Sequence, residues 1–363
     1  MIMKRKILLV SIIFAVSSTE IFPEKWTPVQ LSFLHPVQLF DENTSVAGIR
    51  LNLLSGKNRN VVGIDIGTVN KARQNFGFQL GLINLNEKRM AGIQLGGYNH
   101  SGNTYGFQLG VVNFAKKSYG FQMGLYNSSK TGTHSQLGIS NYSGGNINGF
   151  QIGFFSNWKS LFLLGKPAEN SSLIDPAEYS GNGVNQLNGL QISLMANYAY
   201  RANGLQISFF NVAQKDMNGI QLSPFFNEAG IARGAQFALI VNTADTAYGL
   251  QAAGLLNSAD YFYGMQAALL ANQANENMKG FQAAIFYNQA DEFSGMQLAA
   301  FNAGKTVKGT QVGLVNIAGK MSGVQIGLIN YAYSMKGLQI GIINIIRTGP
   351  IPVFPLFNFS YHY

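Results

Sequence analysis

Apolar and polar residues alternate with a period of two over short stretches that recur along most of the chain. In residues 106–113, Phe107, Leu109 and Val111 alternate with glycine and glutamine. A period of two is typical of a β-strand, whereas an amphipathic helix has a period of about 3.6 residues. The recurrence every 14 residues is two heptads, but two glycines per stretch would cost a helix about 1 kcal/mol each. The pattern therefore predicts strands and not a coiled coil.

The stretch is one copy of a repeat, Gly-apolar-Gln-apolar-Gly-apolar-apolar-Asn. Seventeen copies carry the glutamine, at spacings of 14 or 15 residues with a single spacing of 16, apart from the interruption between Gln151 and Gln191. Amide side chains in register form ladders that stabilise stacked β-structure. The predicted ladder residues are Gln79, Gln94, Gln108, Gln122, Gln206, Gln221, Gln236, Gln251, Asn84, Asn99, Asn113 and Asn127.

Two architectures accommodate this repeat. In a β-solenoid each repeat is one coil, and the apolar alternation is expected to be buried inside. In an outer-membrane β-barrel each repeat is one strand, the apolar face contacts lipid, and Gly and Gln line the inside.

Three observations favour the solenoid. Repeat lengths change in blocks, as stacked coils require, because a lone extra residue is expected to break the ladder. The apolar part of a repeat spans roughly 20 Å, less than the apolar band of about 25 Å on barrels. Nearly all connections are also short. We predict an all-β solenoid of 14–15-residue coils, with the barrel as the alternative.

The chain also shows signals outside the repeat. A basic stretch, Lys4 to Lys6, precedes an apolar run too short to span a bilayer as a helix, which predicts a cleaved secretory signal. The predicted organisation is a signal peptide at 1–18, an N-terminal cap at 19–47, a repeat array at 48–347 with an inserted loop at 158–188, and a C-terminal cap strand at 348–363.

Composition narrows the functional classes. The absence of cysteine excludes disulfides, thiol nucleophiles and a lipoprotein anchor. The net charge of +9 includes three cations of the predicted signal peptide, and the others are spread over turns. We therefore expect no nucleic-acid binding, although weak attraction to anionic lipids or glycans remains compatible with the charge.

Few residues are candidates for chemistry. Asp245, Asp260 and Asp291 each follow a repeat Asn by three residues, and in a solenoid they would form a file of oxygen ligands that attracts Ca²⁺. The alternative is that each Asp bonds to its own turn. The glutamine file is either a glycan-recognising face or a self-satisfying ladder, and stacking alone favours the ladder. No catalytic or metal-binding motif stands out, so we predict neither an enzyme nor a cofactor.

The repeat resembles that of bacterial surface repeat-containing proteins of the Leptospira type. The resemblance extends to the entry Trp-Thr-Pro-Val-Gln-Leu at residues 26–31 and the exit Thr-Gly-Pro-Ile-Pro at residues 348–352. It implies a location at the cell surface or outer membrane and no established activity. We therefore expect an exported, non-catalytic protein with a structural or adhesive role toward matrix, glycan or envelope components. The alternative is an outer-membrane barrel that acts as a pore or scaffold.

Overall fold

The structure is a computed structural model that describes residues 25–156 and 186–361, and its described residues form strands and turns without a helix. The predicted signal peptide, most of the predicted insertion and residues 362–363 lie outside these ranges. The strands are β1 Trp26–Leu34, β2 Val37–Gln38, β3 Ser45–Ser118, β4 Phe121–Gly132, β5 Ser135–Ser143, β6 Ile147–Ser156, β7 Gln186–Ile207, β8 Phe210–Ser223, β9 Phe226–Ala238, β10 Val241–Ala253, β11 Leu256–Ala268, β12 Ala271–Ala284, β13 Tyr287–Leu298, β14 Phe301–Val312, β15 Val315–Ile326, β16 Ile329–Ile346 and β17 Val353–Ser360. The chain divides after Gly138 into two compact units, unit 1 and unit 2.

Successive repeats in unit 1 stack as parallel strands in register. Gln108 pairs with Gln122, and Asn113 pairs with Asn127. The glycine that opens each repeat makes a corner of the coil, and Gly106 has a φ of 129°, a conformation that side chains other than glycine rarely adopt. Each repeat of unit 1 is therefore one coil of a β-solenoid.

Unit 2 follows the same rule. Gln251 pairs with Gln266, and the strands from β6 to β16 pair in parallel. Gln151 pairs directly with Gln191, although 40 residues separate them in sequence. Strand β7 begins at Gln186, so residues 186–188 belong to a coil and not to the predicted inserted loop.

The solenoid is confirmed, and the barrel alternative is wrong. Barrel strands joined by short turns would run antiparallel, whereas repeat pairs with repeat in parallel within each unit. Among the described strands, antiparallel pairing occurs between β1 and β2 and between β16 and β17. Strand β17 lies against the last coil, with Asn358 opposite Gln339.

The side of the strand that faces inward is opposite to the one expected. Gln108 is fully buried, whereas Phe107 and Val111 are 50% and 52% exposed. The same holds in unit 2, where Gln266 is buried and Met265 is 43% exposed. The expectation that the apolar alternation fills the interior is therefore wrong. An amide can be buried without penalty when each of its polar atoms finds a partner on the next coil.

In unit 2 the apolar interior comes from the other part of each coil, between the ladder Asn and the next repeat Gly, whereas the equivalent part of unit 1 buries several polar side chains, among them Asn86, Ser101 and Ser129. One file lies two residues after the Asn and is mostly alanine, and a second, larger file lies just before the boundary with the next repeat. In unit 2 the first includes Ala244, Ala259, Ala274, Ala290, Ala318 and Ala332, and the second includes Phe262, Met278, Phe293, Val307, Met321 and Met335. The small file leaves room for the large one, so the narrow interior is filled.

The glutamine ladder has one direction. Gln266 Nε2 donates to Gln251 Oε1 at 2.9 Å, so each amide donates toward the N-terminal neighbour. The second N–H bonds to backbone on several coils, as from Gln236 Nε2 to the carbonyl oxygen of Thr243 at 3.3 Å. Because one amide hydrogen is committed to a fixed backbone oxygen, the orientation of the whole ladder is determined.

The asparagine ladder runs the other way. Asn257 Nδ2 donates to Asn272 Oδ1 at 2.9 Å and to the carbonyl oxygen of Ala267 at 2.7 Å, so each amide donates toward the C-terminal neighbour. Hydrogen bonds in a chain polarise one another and strengthen the chain. Two antiparallel ladders gain this cooperativity while their dipoles oppose each other.

The glutamine file of unit 1 opens on a buried ion pair. Arg50 donates to both oxygens of Asp65 at 2.7 and 2.6 Å, and both side chains are 0% exposed. Gln79 Nε2 then donates to Asp65 Oδ2 at 2.8 Å, so the carboxylate accepts the first amide of the ladder. Gln30 pairs with Arg50, so β1, which lies in the segment predicted as a cap, adds a parallel strand to the stack, with a register shift on either side of this pair.

Some coils have one or two residues more than the 14-residue repeat, and the ladders continue through them. In several coils of unit 2 the fifteenth residue lies between the Gln and the Asn, and neighbouring coils share it, as between β9, β10 and β11, which pair without a register shift. Elsewhere it lies between the Asn and the next Gln, as between Asn211 and Gln221, where β8 and β9 shift register. The single 16-residue spacing places a bulge between Ala274 and Asn277. Gln282 still donates to Gln266 Oε1 at 2.8 Å, so the expectation that a lone bulge breaks the ladder is wrong.

Neutralising one member of the buried ion pair should be more harmful than replacing both. Arg50→Gln leaves the Asp65 carboxylate buried without its cation and should lower the free energy of unfolding by about 3–5 kcal/mol. The double variant Arg50→Gln/Asp65→Gln places the ladder's own residue at both positions and should recover most of the loss. Urea denaturation of the full chain measures both, and a double variant as unstable as the single one would contradict this account.

Substituting a buried ladder residue should destabilise the protein, whereas substituting an exposed residue of the same coil should not. Gln251→Leu deprives Gln236 of a donor and Gln266 of an acceptor, so the free energy of unfolding should fall by about 2–5 kcal/mol. Leu255→Asn, at a position 43% exposed, is the control and should change it by less than about 0.5 kcal/mol. Equal urea midpoints for the two variants would mean that the buried amides do not hold the coils together.

Candidate functional site: an apolar face and its boundary row

The repeat Gly and the ladder Asn divide each coil into an apolar segment and a polar segment. The apolar segment runs from the repeat Gly to the ladder Asn, and the polar segment runs from that Asn to the next repeat Gly. From residue 77 onward, no Lys, Arg, Asp or Glu lies in an apolar segment of the described chain. We call the outward side chains of the apolar segments the apolar face and those of the polar segments the polar face of each unit.

The apolar face exposes large side chains coil after coil. In unit 2, Leu314, Leu328 and Ile342 are stacked at equivalent positions and are 51%, 49% and 62% exposed. Soluble monomers rarely expose contiguous apolar patches larger than a few hundred Å², and larger patches mark interaction sites. The face is therefore the feature of the described chain that most requires a partner.

Glycines cut a groove into this face. Over the last coils an open groove of about 620 Å³ is lined by Val312, Gly313, Leu314 and their equivalents on neighbouring coils. A Cβ atom on Gly313 would lie 2.0 Å from the carbonyl oxygen of Ala299 on the preceding coil, so the corner requires glycine there. The groove has aliphatic walls, and the surface it offers is apolar throughout.

The polar face of unit 1 is strongly basic, which the sequence analysis missed when it described the charge as spread over turns. From Asn52 to Ser135 its polar segments carry a single acid, Glu87, against nine cations, one of which, Lys57, forms a salt bridge with Glu42 at 3.1 Å. The cations are Lys57, Arg59, Lys71, Arg73, Lys88, Arg89, Lys116, Lys117 and Lys130. Partial burial and then the charge of Lys116 lower the pKa of His100, which is consistent with a positive potential on this side.

The polar face of unit 2 carries both signs. Arg201 and Arg233 both form salt bridges with Asp216, at 3.2 and 3.3 Å. Partial burial and then the nearby charge of Asp245 raise the pKa of Glu228.

The three candidate calcium ligands lie on the polar face of unit 2 and already have partners or charged neighbours. Asp260 Oδ1 accepts from Asn275 Nδ2 at 2.8 Å, and Asp291 Oδ2 accepts from Lys305 Nζ at 2.5 Å. Within the described ranges, no three His, Asp or Glu side chains are grouped so that they could hold a metal ion. Calcium binding by Asp245, Asp260 and Asp291 stays a prediction that would require these contacts to be replaced.

The residue immediately before each repeat Gly forms a file that we call the boundary row, because it lies where the polar face meets the apolar face. In unit 2 the row is Asn148, Asn188, Asn203, Asn218, Arg233, Tyr248, Tyr263, Lys279, Ser294, Lys308, Ser322 and Lys336. None of these residues is acidic. Sequence reasoning missed the row, although reading the residue before each repeat Gly in order would have found it.

Neighbouring members of the boundary row contact one another. Asn188 donates to Asn148 Oδ1 at 2.6 Å and Asn203 donates to Asn188 Oδ1 at 2.9 Å, which begins an exposed amide ladder. The Tyr248 and Tyr263 rings stack at 5.0 Å with an interplanar angle of 9°. Arg233 and Lys279 lie 5.9 and 5.5 Å from the ring centroids on either side. The row is thus an ordered line of amides, rings and cations.

Comparison with protein-family models, with curated proteins and with solved structures found no match to this chain. None of the described residues forms a helix long and apolar enough to cross a membrane. The two faces and the boundary row are therefore the features that bear on the location and role of this protein.

The pH dependence of stability should depend on one buried histidine of unit 1. His134 lies two residues before Gln136, where most coils have the repeat Gly, and burial lowers its pKa to about 4 against a smaller opposing contribution from the backbone of Gly132. Between the unfolded value of 6.5 and about 4, the unfolded chain binds the proton first. Stability should therefore fall by about 3 kcal/mol as the pH falls through this window.

The matched variant is His134→Gly, which restores the residue of the other coils. Urea midpoints of the full chain across the same pH window should show a shallower decline for the variant, since the contribution of the carboxylates is common to both. Parallel pH profiles would show that His134 does not cause the dependence.

Proposed function

We propose that the chain is an exported, non-catalytic interaction protein of the bacterial surface, and that its apolar face is the surface that contacts an envelope component. One observation carries the proposal. Charged side chains are confined to the polar segments from residue 77 onward, while large aliphatic and aromatic side chains on the opposite face stay exposed.

In this proposal the buried residues of the repeat have a structural role, and its outward side chains have the functional role. The Gln and Asn files are buried and bonded to themselves, so they stabilise the stack and are not available to recognise a glycan. The outward positions can vary without disturbing these ladders. Each unit built in this way presents an apolar face that extends over successive coils, which suits a structural or adhesive role.

Export and a surface location come from the predicted signal peptide and from the resemblance of the repeat, and they remain part of the proposal. Matrix or glycan components would meet the polar face, where side chains can form hydrogen bonds. Envelope components with apolar surfaces would meet the apolar face. We favour the envelope because an exposed apolar face carries the larger free-energy gain on burial. A pore is not proposed, since it depended on the barrel.

The test compares two pairs of substitutions in the full chain. Leu328→Asn/Ile342→Asn alters the apolar face, and Tyr261→Asn/Tyr333→Asn alters exposed side chains of the polar face. Burying the exposed part of each aliphatic side chain contributes about 1 kcal/mol. The first pair should therefore lower the ratio of envelope-bound to free protein at least about tenfold in fractionated cells, and the second pair should leave it unchanged.

Both pairs should retain the urea midpoint of the parent, because the substituted side chains are exposed. Envelope retention that is equal for the two pairs would contradict the role given to the apolar face.

A further inference from the structure

We propose that the apolar face of unit 2 docks on the surface of an anionic lipid bilayer, with the boundary row in the headgroup region. The inference rests on the function proposed above and names the partner of the same face.

The boundary row is one of the two files of the polar face that border the apolar face, and it contains no acidic residue. The described acids of unit 2 all lie elsewhere in the polar segments, at Asp216, Glu228, Asp245, Asp260, Glu276, Asp291 and Glu292. Four of the twelve row positions are cations, and two are tyrosines. An apolar surface bordered by tyrosine, lysine and arginine is the arrangement that places an element at a membrane interface.

The cations of the row are spaced for contact with an array of anions. Lys279 pairs with Ser294 and Ser294 with Lys308, and Ser322 separates Lys308 from Lys336 in the same way. One serine coil therefore lies between successive lysines, a separation of about 10 Å. The three lysines are exposed, and the salt bridges found in the described part of unit 2 involve Arg201, Arg233 and Lys305 instead. Their charges remain available for headgroups.

The two tyrosines fit an interface better than a sugar-binding platform. The Tyr248 and Tyr263 rings are stacked on each other, and Arg233 and Lys279 lie near their outer faces. A saccharide ring would need an open aromatic face to stack on, and these faces are occupied. The ring edges and hydroxyl groups remain, which is the amphipathic presentation that tyrosine has at headgroup level.

A second copy of the chain is the main competing occupant, and charge argues against it. The other border of the apolar face is the file that follows each ladder Asn. In the described part of unit 2, this file contains one acid, Glu228. Packing two apolar faces together would therefore bring almost no acid to the lysine row from either border. An anionic bilayer supplies the missing charge along the whole row.

The absence of cysteine makes a local test simple. Leu328→Cys and Lys320→Cys are each labelled in the full chain with a dye whose emission shifts to the blue in apolar surroundings. The probes are vesicles of equal parts phosphatidylglycerol and phosphatidylcholine, and vesicles of phosphatidylcholine alone. We expect a blue shift and shielding from an aqueous quencher for the label at 328 with the anionic vesicles, and no change for the label at 320.

A second pair of variants tests the row itself. Lys279→Glu/Lys308→Glu/Lys336→Glu reverses three boundary lysines, and Lys215→Glu/Lys305→Glu/Lys320→Glu makes the same change of net charge on the polar face. Cosedimentation of each unlabelled triple variant with the anionic vesicles reports overall binding. The same substitutions are also introduced into the chain labelled at 328, where the label reports binding through the apolar face. In that chain the triple variant of the boundary row should weaken binding on the order of a hundredfold, and the triple variant of the polar face should weaken it much less.

Three results would overturn the inference. They are an unchanged label at 328, equal shielding at 320 and 328, and shielding at 328 that grows with protein concentration without vesicles, which would indicate a second copy. If envelope retention still depends on Leu328 and Ile342 while vesicles are not bound, the proposed function stands and the lipid partner does not. If retention is independent of that pair, the proposed function fails whatever the vesicles show.

Discussion

The structure depends on side-chain amides that are removed from water and must therefore bond to the same side chain one coil away. A buried amide without partners costs more than its hydrogen bond contributes when it is made, so register is enforced wherever the Gln and Asn files continue. The two files meet this requirement with opposite polarity, as Gln266 donates backward to Gln251 and Asn257 donates forward to Asn272. Backbone carbonyls fix both directions, so the coils of a unit share one arrangement.

The orientation of the faces follows from this constraint. With the amides inside, the apolar residues that alternate with them have to point outward, and the polar segment must supply the apolar interior through alanine and a larger residue such as Phe262 or Met278. The apolar face is thus tied to the ladder that stabilises the coil, and charge is left to the polar segments. Because the coils share the same two segments, a weak preference for apolar residues at one position of the repeat produces a continuous apolar surface over many coils. Function can then reside in that surface and in the row that borders it.

Local pattern predicted the strands, the 14–15-residue coil and the positions of the ladders, because these depend on periodicity and on the recurrence of Gln and Asn. Periodicity does not say which side of a strand is inside, and the usual preference for apolar burial gave the wrong side for Phe107 and Gln108. The informative signal lies after the Asn, where Met217, Met278 and Met321 recur at one coil position. The boundary row was not predicted because its members do not share one residue type; what they have in common is that none of them is acidic.

Hydrogen exchange of side-chain amides, followed by NMR, tests most directly whether the amides lie inside the coils. We expect the side-chain NH2 groups of Gln251, Gln266 and Asn257 to exchange as slowly as the backbone amides of the same coils. The exposed Asn275 and Asn203 side chains provide the fast reference in the same sample. If the ladder amides exchanged as fast as Asn275 while the backbone stayed protected, the amide files would lie in water and the assignment of the inner and outer faces would be wrong.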